Sequence, residues 1–171
     1  MGICNGFQVM VKMGLLPLFD GEMKQDVTLT HNDSDRFEDR WITLKADPAS
    51  ACVWTRGIAT IELPVRNGEG KFIPRDADTL RRLVEGGHVV LRYVNRDGST
   101  AQSKFPANPS GSVVDIAGIC DASGRIFGLM PHPEAYQERT NHPRWTREFL
   151  PEEGLGLKVF RNAVEFARGK W

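Results

Sequence analysis

The chain has 171 residues, with Lys plus Arg and Asp plus Glu at 22 each. That is enough for one domain burying about 70% of its unfolded surface, and the zero net charge argues against nucleic acid or an anionic membrane as a partner. No apolar run reaches the roughly 18 residues of a membrane span and nothing at the start reads as a signal peptide. The three cysteines, at 4, 52 and 120, are odd in number and lack paired C-x-x-C metal spacing, which suits a reducing cytoplasm.

In chain order, the sequence opens on Gly2-Ile3-Cys4-Asn5-Gly6. Glycines two before and two after a cysteine are what a sharp strand-to-helix turn needs, because side chains there would collide. Such a turn lifts the thiol clear of the backbone and sets it at the positive end of the following helix, so Cys4 is the candidate nucleophile. Phe7, Met10, Val11 and Met13 have mainly helical spacing, and Gly14 and Pro17 close that helix. Gln8 lies one turn after Cys4 and shares its face. On spacing alone it reads as a surface glutamine.

Residues 27–30 and 37–44 read as strands flanking the polar turn Asn32-Asp33-Ser34-Asp35, an arrangement that predicts a β-ribbon. A further strand is expected over 57–65. The turn Asn67-Gly68-Glu69-Gly70-Lys71 after it lacks the Lys-Ser/Thr of a phosphate loop. Asp76 to Thr79 opens an amphipathic helix carrying Leu80, Leu83 and Val84, stopped by Gly86-Gly87. Residues 88–94 form the next strand, closed by the turn at Asn95 to Gly98. His31 and His88 read as structural histidines.

Pro106-Ala107-Asn108-Pro109-Ser110-Gly111 is a rigid loop of the kind that carries recognition. Two strands, 116–120 and 125–130, follow, and Cys120 between them reads as inert. The second strand delivers Pro131-His132-Pro133-Glu134, in which His132 is placed to hold a proton and Glu134 to hold His132. Asn141 to Arg147 combines a tryptophan with two arginines, either an interface hot spot or a loop pinned by Trp145. A last helix over 156–168 is expected to bury Leu157, Phe160, Val164 and Ala167.

The segments GICNGFQ (2–8), NDSDRFEDRW (32–41), FPANPSGS (105–112), IAGICDASGRIFGLMPHPE (116–134), NHPRWTR (141–147) and KVFRNAVEF (158–166) together resemble the class I glutamine amidotransferases, and within them the glutaminase subunits of phosphoribosylformylglycinamidine synthase. The resemblance implies an α/β fold with a doubly wound, mostly parallel, flavodoxin-like sheet plus the added β-ribbon. It implies a Cys4, His132 and Glu134 triad, the backbone N–H of Asn5 as an oxyanion donor, and contacts to substrate glutamine from Gln8 and from the backbone around Arg36 and Phe37. No cofactor is expected in this chain. ATP and Mg would sit on a partner synthetase that uses the ammonia to make formylglycinamidine ribonucleotide in purine biosynthesis, with a third small subunit as a further partner. In the family several elements precede the nucleophile, so residues 1–171 are expected to be a single, N-terminally incomplete domain without the glycine-rich turn that supplies the second oxyanion donor. The isolated chain is therefore expected to be a poor catalyst, since one lost donor costs about 100- to 1000-fold. Two other readings stay open: a non-catalytic binding or regulatory remnant, and a cysteine hydrolase of the same architecture.

Overall fold

The computed structural model describes residues 1–169. Strand β1 (Gly2–Ile3) turns directly into helix α1 (Asn5–Lys12). Then come β2 (Val27–Thr30), β3 (Glu38–Ala46), β4 (Thr60–Asn67), β5 (Lys71–Pro74), helix α2 (Ala77–Glu85), β6 (Val89–Val94), β7 (Ile116–Cys120), β8 (Phe127–Leu129) and helix α3 (Gly156–Ala167). Helix α2 starts where the sequence indicates: the Asp76 carboxylate accepts the Thr79 backbone N–H at 2.7 Å, and this bond, with those from the Thr79 hydroxyl and Arg75, pulls the Asp76 carboxyl down to about 2. Strand β8 is shorter than its apolar run, because the backbone N–H of Ile126 is taken by the Asp121 carboxylate at 2.8 Å.

Six strands form one sheet in the order β1-β8-β7-β6-β3-β4, and β2 and β5 form a second. The α/β class is as expected; the mostly parallel sheet is not. Among the described residues only β1 and β8 run parallel in this sheet, and the other four neighbouring pairs are antiparallel. Parallel neighbours need a crossover of a dozen or more residues, usually a helix. The short turn between β7 and β8 allows only an antiparallel return, whereas β1 and β8 are joined by nearly the whole chain. The ribbon also differs from expectation. Strand β2 pairs with β5, from Val27 opposite Pro74 to Thr30 opposite Lys71, and not with β3. Strand β3 has both its edges committed, to β4 over Glu38–Lys45 and to β6 over Thr43–Ala46.

The core forms two apolar clusters. Phe7, Val11, Leu16, Phe72, Leu83, Ile119 and Met130 join α1, α2 and the small sheet to the large one. Leu44, Leu63, Val65, Tyr93, Leu129, Tyr136 and Val159 fill the other, under α3. Each fully buried large apolar side chain contributes about 1.5–3 kcal/mol. The face that α3 buries is displaced from the expected one: Val159 and Asn162 are buried, Leu157 and Phe160 half-buried, and Val164 and Ala167 exposed. The reason is polar. The Asn162 side-chain amide donates to the Trp54 and Arg56 carbonyls, each at 2.9 Å, and this docking sets the rotation of the helix.

Candidate active site

Cys4 occupies the turn between β1 and α1 with φ 51° and ψ −109°, a conformation that costs a non-glycine residue about 1–3 kcal/mol. It is held there from both sides. Its backbone N–H donates to the Leu129 carbonyl at 2.9 Å, while its own carbonyl accepts from Phe7 and Gln8 at 3.0 and 3.1 Å. Gly2 is required by close approach, since a Cβ there would strike the Gly6 carbonyl and the Met10 sulfur. Gly6 is not: a Cβ at that position would meet open space, so the expected need for both glycines holds only for the first. Asn5 is the first residue of α1, and helix geometry leaves its N–H without an acceptor in the helix, one residue from the sulfur.

Strand β8 ends at Leu129 and the chain then delivers His132 and, in a single 3-10 turn at Pro133–Ala135, Glu134. The His132 Nδ1 lies 2.5 Å from Glu134 Oε1. With Nδ1 engaged by the carboxylate, the nitrogen left for chemistry is Nε2, which is buried and makes no hydrogen bond among the described residues. The Cys4 sulfur is its electrostatic neighbour, outside formed hydrogen-bond geometry. That sulfur, and after it Glu134, raise the His132 pKa above the usual histidine range against the opposing effect of burial.

The other wall comes from β4. Pro64 has no N–H to give, so in the antiparallel ladder opposite Trp41 it belongs to the outward-facing set, together with Glu62 and Arg66. Those outward carbonyls serve the site. The Pro64 carbonyl accepts the His132 backbone N–H at 2.8 Å, and the Arg66 carbonyl lies 3.9 Å from the Cys4 sulfur, which donates to it. Strands β1 and β4 are the two ends of the six-stranded order, yet both border Cys4. The sheet therefore curls until its ends nearly meet, with the thiol in the gap. Sequence reading placed none of Pro64, Arg66 or Glu69 here. The available signal was a proline inside a strand, which marks an edge.

Gln8 sits on the Cys4 face of α1 and donates to the Glu69 carbonyl at 3.0 Å and to its carboxylate at 3.3 Å. Arg36 and Phe37 are one step further out. Buried Asn32 donates to the Arg36 carbonyl at 3.0 Å and the Asn67 carbonyl at 2.8 Å, and accepts from the Gly70 N–H at 2.9 Å. The 32–37 turn is thereby fastened to the turn that touches Gln8. The structure thus gathers Cys4, Asn5, Gln8, His132 and Glu134, with Arg36 and Phe37 attached through Asn32.

Residues 141–147 are pinned behind the site, by His142 and Arg144 rather than by the half-exposed Trp145. Buried His142 bonds Glu62 of β4 at 2.9 Å, and Arg144 donates to the same Glu62 oxygen at 2.5 Å and to Glu148 at 2.5 Å. The His142 ring also packs on Trp41 and Tyr136, with centroids 4.7 and 5.4 Å away. His88 is a core histidine bonded to the Cys120 carbonyl at 2.9 Å. Among the described residues no group of His, Cys, Asp and Glu could hold a metal, and no helix is long and apolar enough to cross a membrane.

A cysteine at a strained strand-to-helix turn, facing an imidazole that is oriented by a carboxylate two residues on, has the composition and geometry that nucleophilic acyl transfer requires, here on an α/β scaffold. Residues 1–167 match the family model of the CobB/CobQ-like glutamine amidotransferase domain, and the chain belongs to that family. It is 52% identical over 169 residues to the phosphoribosylformylglycinamidine synthase subunit PurQ of Dehalococcoides mccartyi, covering 98% of this chain and 63% of that protein. The PurQ subunit of Methanococcus maripaludis strain C5 is 40% identical over 177 residues, covering 97% of this chain and 65% of the relative. Among solved structures, PurLQS from Thermotoga maritima superposes with a TM-score of 0.67 at 29% identity, over 98% of this chain and 61% of that one. The chain therefore spans less than two thirds of the length of these relatives.

Proposed function

We propose that the chain is the glutaminase part of a phosphoribosylformylglycinamidine synthase, hydrolysing glutamine and supplying ammonia to a synthetase that converts formylglycinamide ribonucleotide to the amidine in purine biosynthesis. The observation that carries this reading is the pairing of Cys4 on its strained turn with His132, whose Nδ1 is engaged by Glu134, in a chain whose relatives bear the synthase name. Thiolate Cys4 attacks the side-chain amide carbon of glutamine. The oxyanion accepts the Asn5 backbone N–H. His132, charged after taking the thiol proton, gives that proton to the departing nitrogen, so the C–N bond breaks and leaves ammonia and a γ-glutamyl thioester. Water then attacks the thioester carbon, its proton passes to His132, and the C–S bond breaks to release glutamate.

In this reading Gln8 and the backbone around Arg36 and Phe37 hold the substrate's remaining polar groups. ATP and Mg belong to the synthetase, and a third small subunit completes the assembly on the pattern of the Thermotoga maritima PurLQS structure. Three free thiols suit a cytoplasmic location. The test is glutamine-dependent ammonia release, with Cys4→Ala as control. Release in the parent and none in the variant is the expected result, and release that survives Cys4→Ala removes the thiol from the reaction.

A further inference from the structure

Handing ammonia to a synthetase requires a protein surface next to the site, and one groove there has the features of a protein contact. It encloses about 500 Å³ and is lined by Ser34, Arg36, Phe37, Glu38, Arg40 and Phe105. Both phenyl rings stand in water, Phe37 at 68% and Phe105 at 59% exposure. Single exposed apolar side chains are ordinary, but two aromatic rings lining one groove form a patch.

The charges in the groove are of two kinds. Arg40 lies 4.4 Å from the Phe105 ring centroid and is neutralised by Glu38, to which it donates at 3.0 and 2.7 Å. The other Glu38 oxygen accepts the Ser34 hydroxyl at 2.8 Å, so that wall is satisfied. Arg36 is exposed, and among the described residues its guanidinium has no hydrogen-bond or ion-pair partner. Two rings beside an uncompensated arginine are the composition of an interface hot spot and call for an anionic, partly apolar occupant.

We infer that this groove docks the protein that receives the ammonia, through a segment that places an apolar side chain between Phe37 and Phe105 and a carboxylate on Arg36. The inference rests on the glutaminase reading above. Position favours this occupant: the 32–38 turn is fastened through Asn32 to the turn touching Gln8, so whatever fills the groove sits at the edge of the reacting centre. Substrate glutamine itself is not the occupant, because Cys4, His132 and Glu134 do not line the groove.

The experiment is a calorimetric titration of the purified ATP-dependent synthetase from the same organism with this chain. Phe105→Glu is expected to weaken binding about 10- to 30-fold, with its Tm unchanged and Cys4 still labelled by a diazoketone analogue of glutamine at the parent rate. Arg36→Gln is expected to weaken binding independently and to reduce its salt dependence. Equal affinity of parent and Phe105→Glu overturns the inference. So does a parent chain that doubles its sedimenting mass through this groove, with the doubling lost in Phe105→Glu. If the parent releases ammonia but binds no synthetase, the groove assignment falls and the glutaminase reading stands. If the parent neither releases ammonia nor is labelled at Cys4, the functional reading itself has failed.

Discussion

The backbone N–H of His132 donates to the Pro64 carbonyl at 2.8 Å. A residue that follows β8, one strand in from an end of the sheet, is thereby held by the strand at the opposite end, and the His132 imidazole inherits its position from a proline that cannot pair inward.

Cys4→Gly is expected to abolish glutaminase activity while stabilising the fold by about 1 kcal/mol, because glycine adopts φ 51° without the strain a side chain suffers there. Thermal unfolding of parent and variant measures this, and a lower Tm for the glycine variant would contradict the strain argument.

Glu134→Gln tests the raised His132 pKa. A histidine pKa raised above its unfolded value of about 6.5 contributes stability that is fully present below pH about 6.5 and is lost as pH rises through the folded pKa. Removing the carboxylate should flatten that part of the stability profile and move the rise in activity with pH to lower pH. Profiles of Tm and kcat/KM from pH 5 to 9 would show both, and an unshifted activity limb would exclude the Glu134 contribution.

Glu62→Ala leaves buried His142 and half-buried Arg144 without their shared acceptor. A loss of about 2 kcal/mol is expected, less than for a fully buried pair because solvent reaches Glu62 and Arg144. Faster limited proteolysis within 141–151 should accompany it. Urea denaturation gives the first quantity and peptide mapping the second.

Tyr93 is fully buried and its hydroxyl makes no hydrogen bond among the described residues, since the nearby Ser110 hydroxyl is already paired with Ser112 at 2.9 Å. Burial also holds the phenol pKa above the ordinary tyrosine range. Tyr93→Phe removes an unsatisfied polar group and should leave stability unchanged or raise it by up to about 1 kcal/mol. A clear fall in urea midpoint would mean that the hydroxyl has a partner.

Local signals were legible in the sequence. The elbow at Cys4, the capped start of α2 at Asp76 and the His132–Glu134 spacing are each set by residues a few positions apart, and all three appear in the structure, the elbow with only Gly2 of its two glycines required by close approach. Strand partners were not legible. Whether β2 pairs with β3 or β5 depends on which edges β4 and β6 occupy, and nothing within the 27–44 stretch encodes that. The polar docking of Asn162 likewise overrode the apolar stripe from which the buried face of α3 was inferred. The contribution of β4 to the site was hidden for the same reason: Arg66 and Cys4 are distant in the chain and are joined only by the curl of the sheet.

That curl has a thermodynamic corollary. Because the two borders of the reacting centre are opposite margins of one sheet, the distance between them is set by every strand pairing that lies between. Catalytic competence and cooperative unfolding should then fade over the same urea range, making turnover a gauge of the integrity of the entire β-structure.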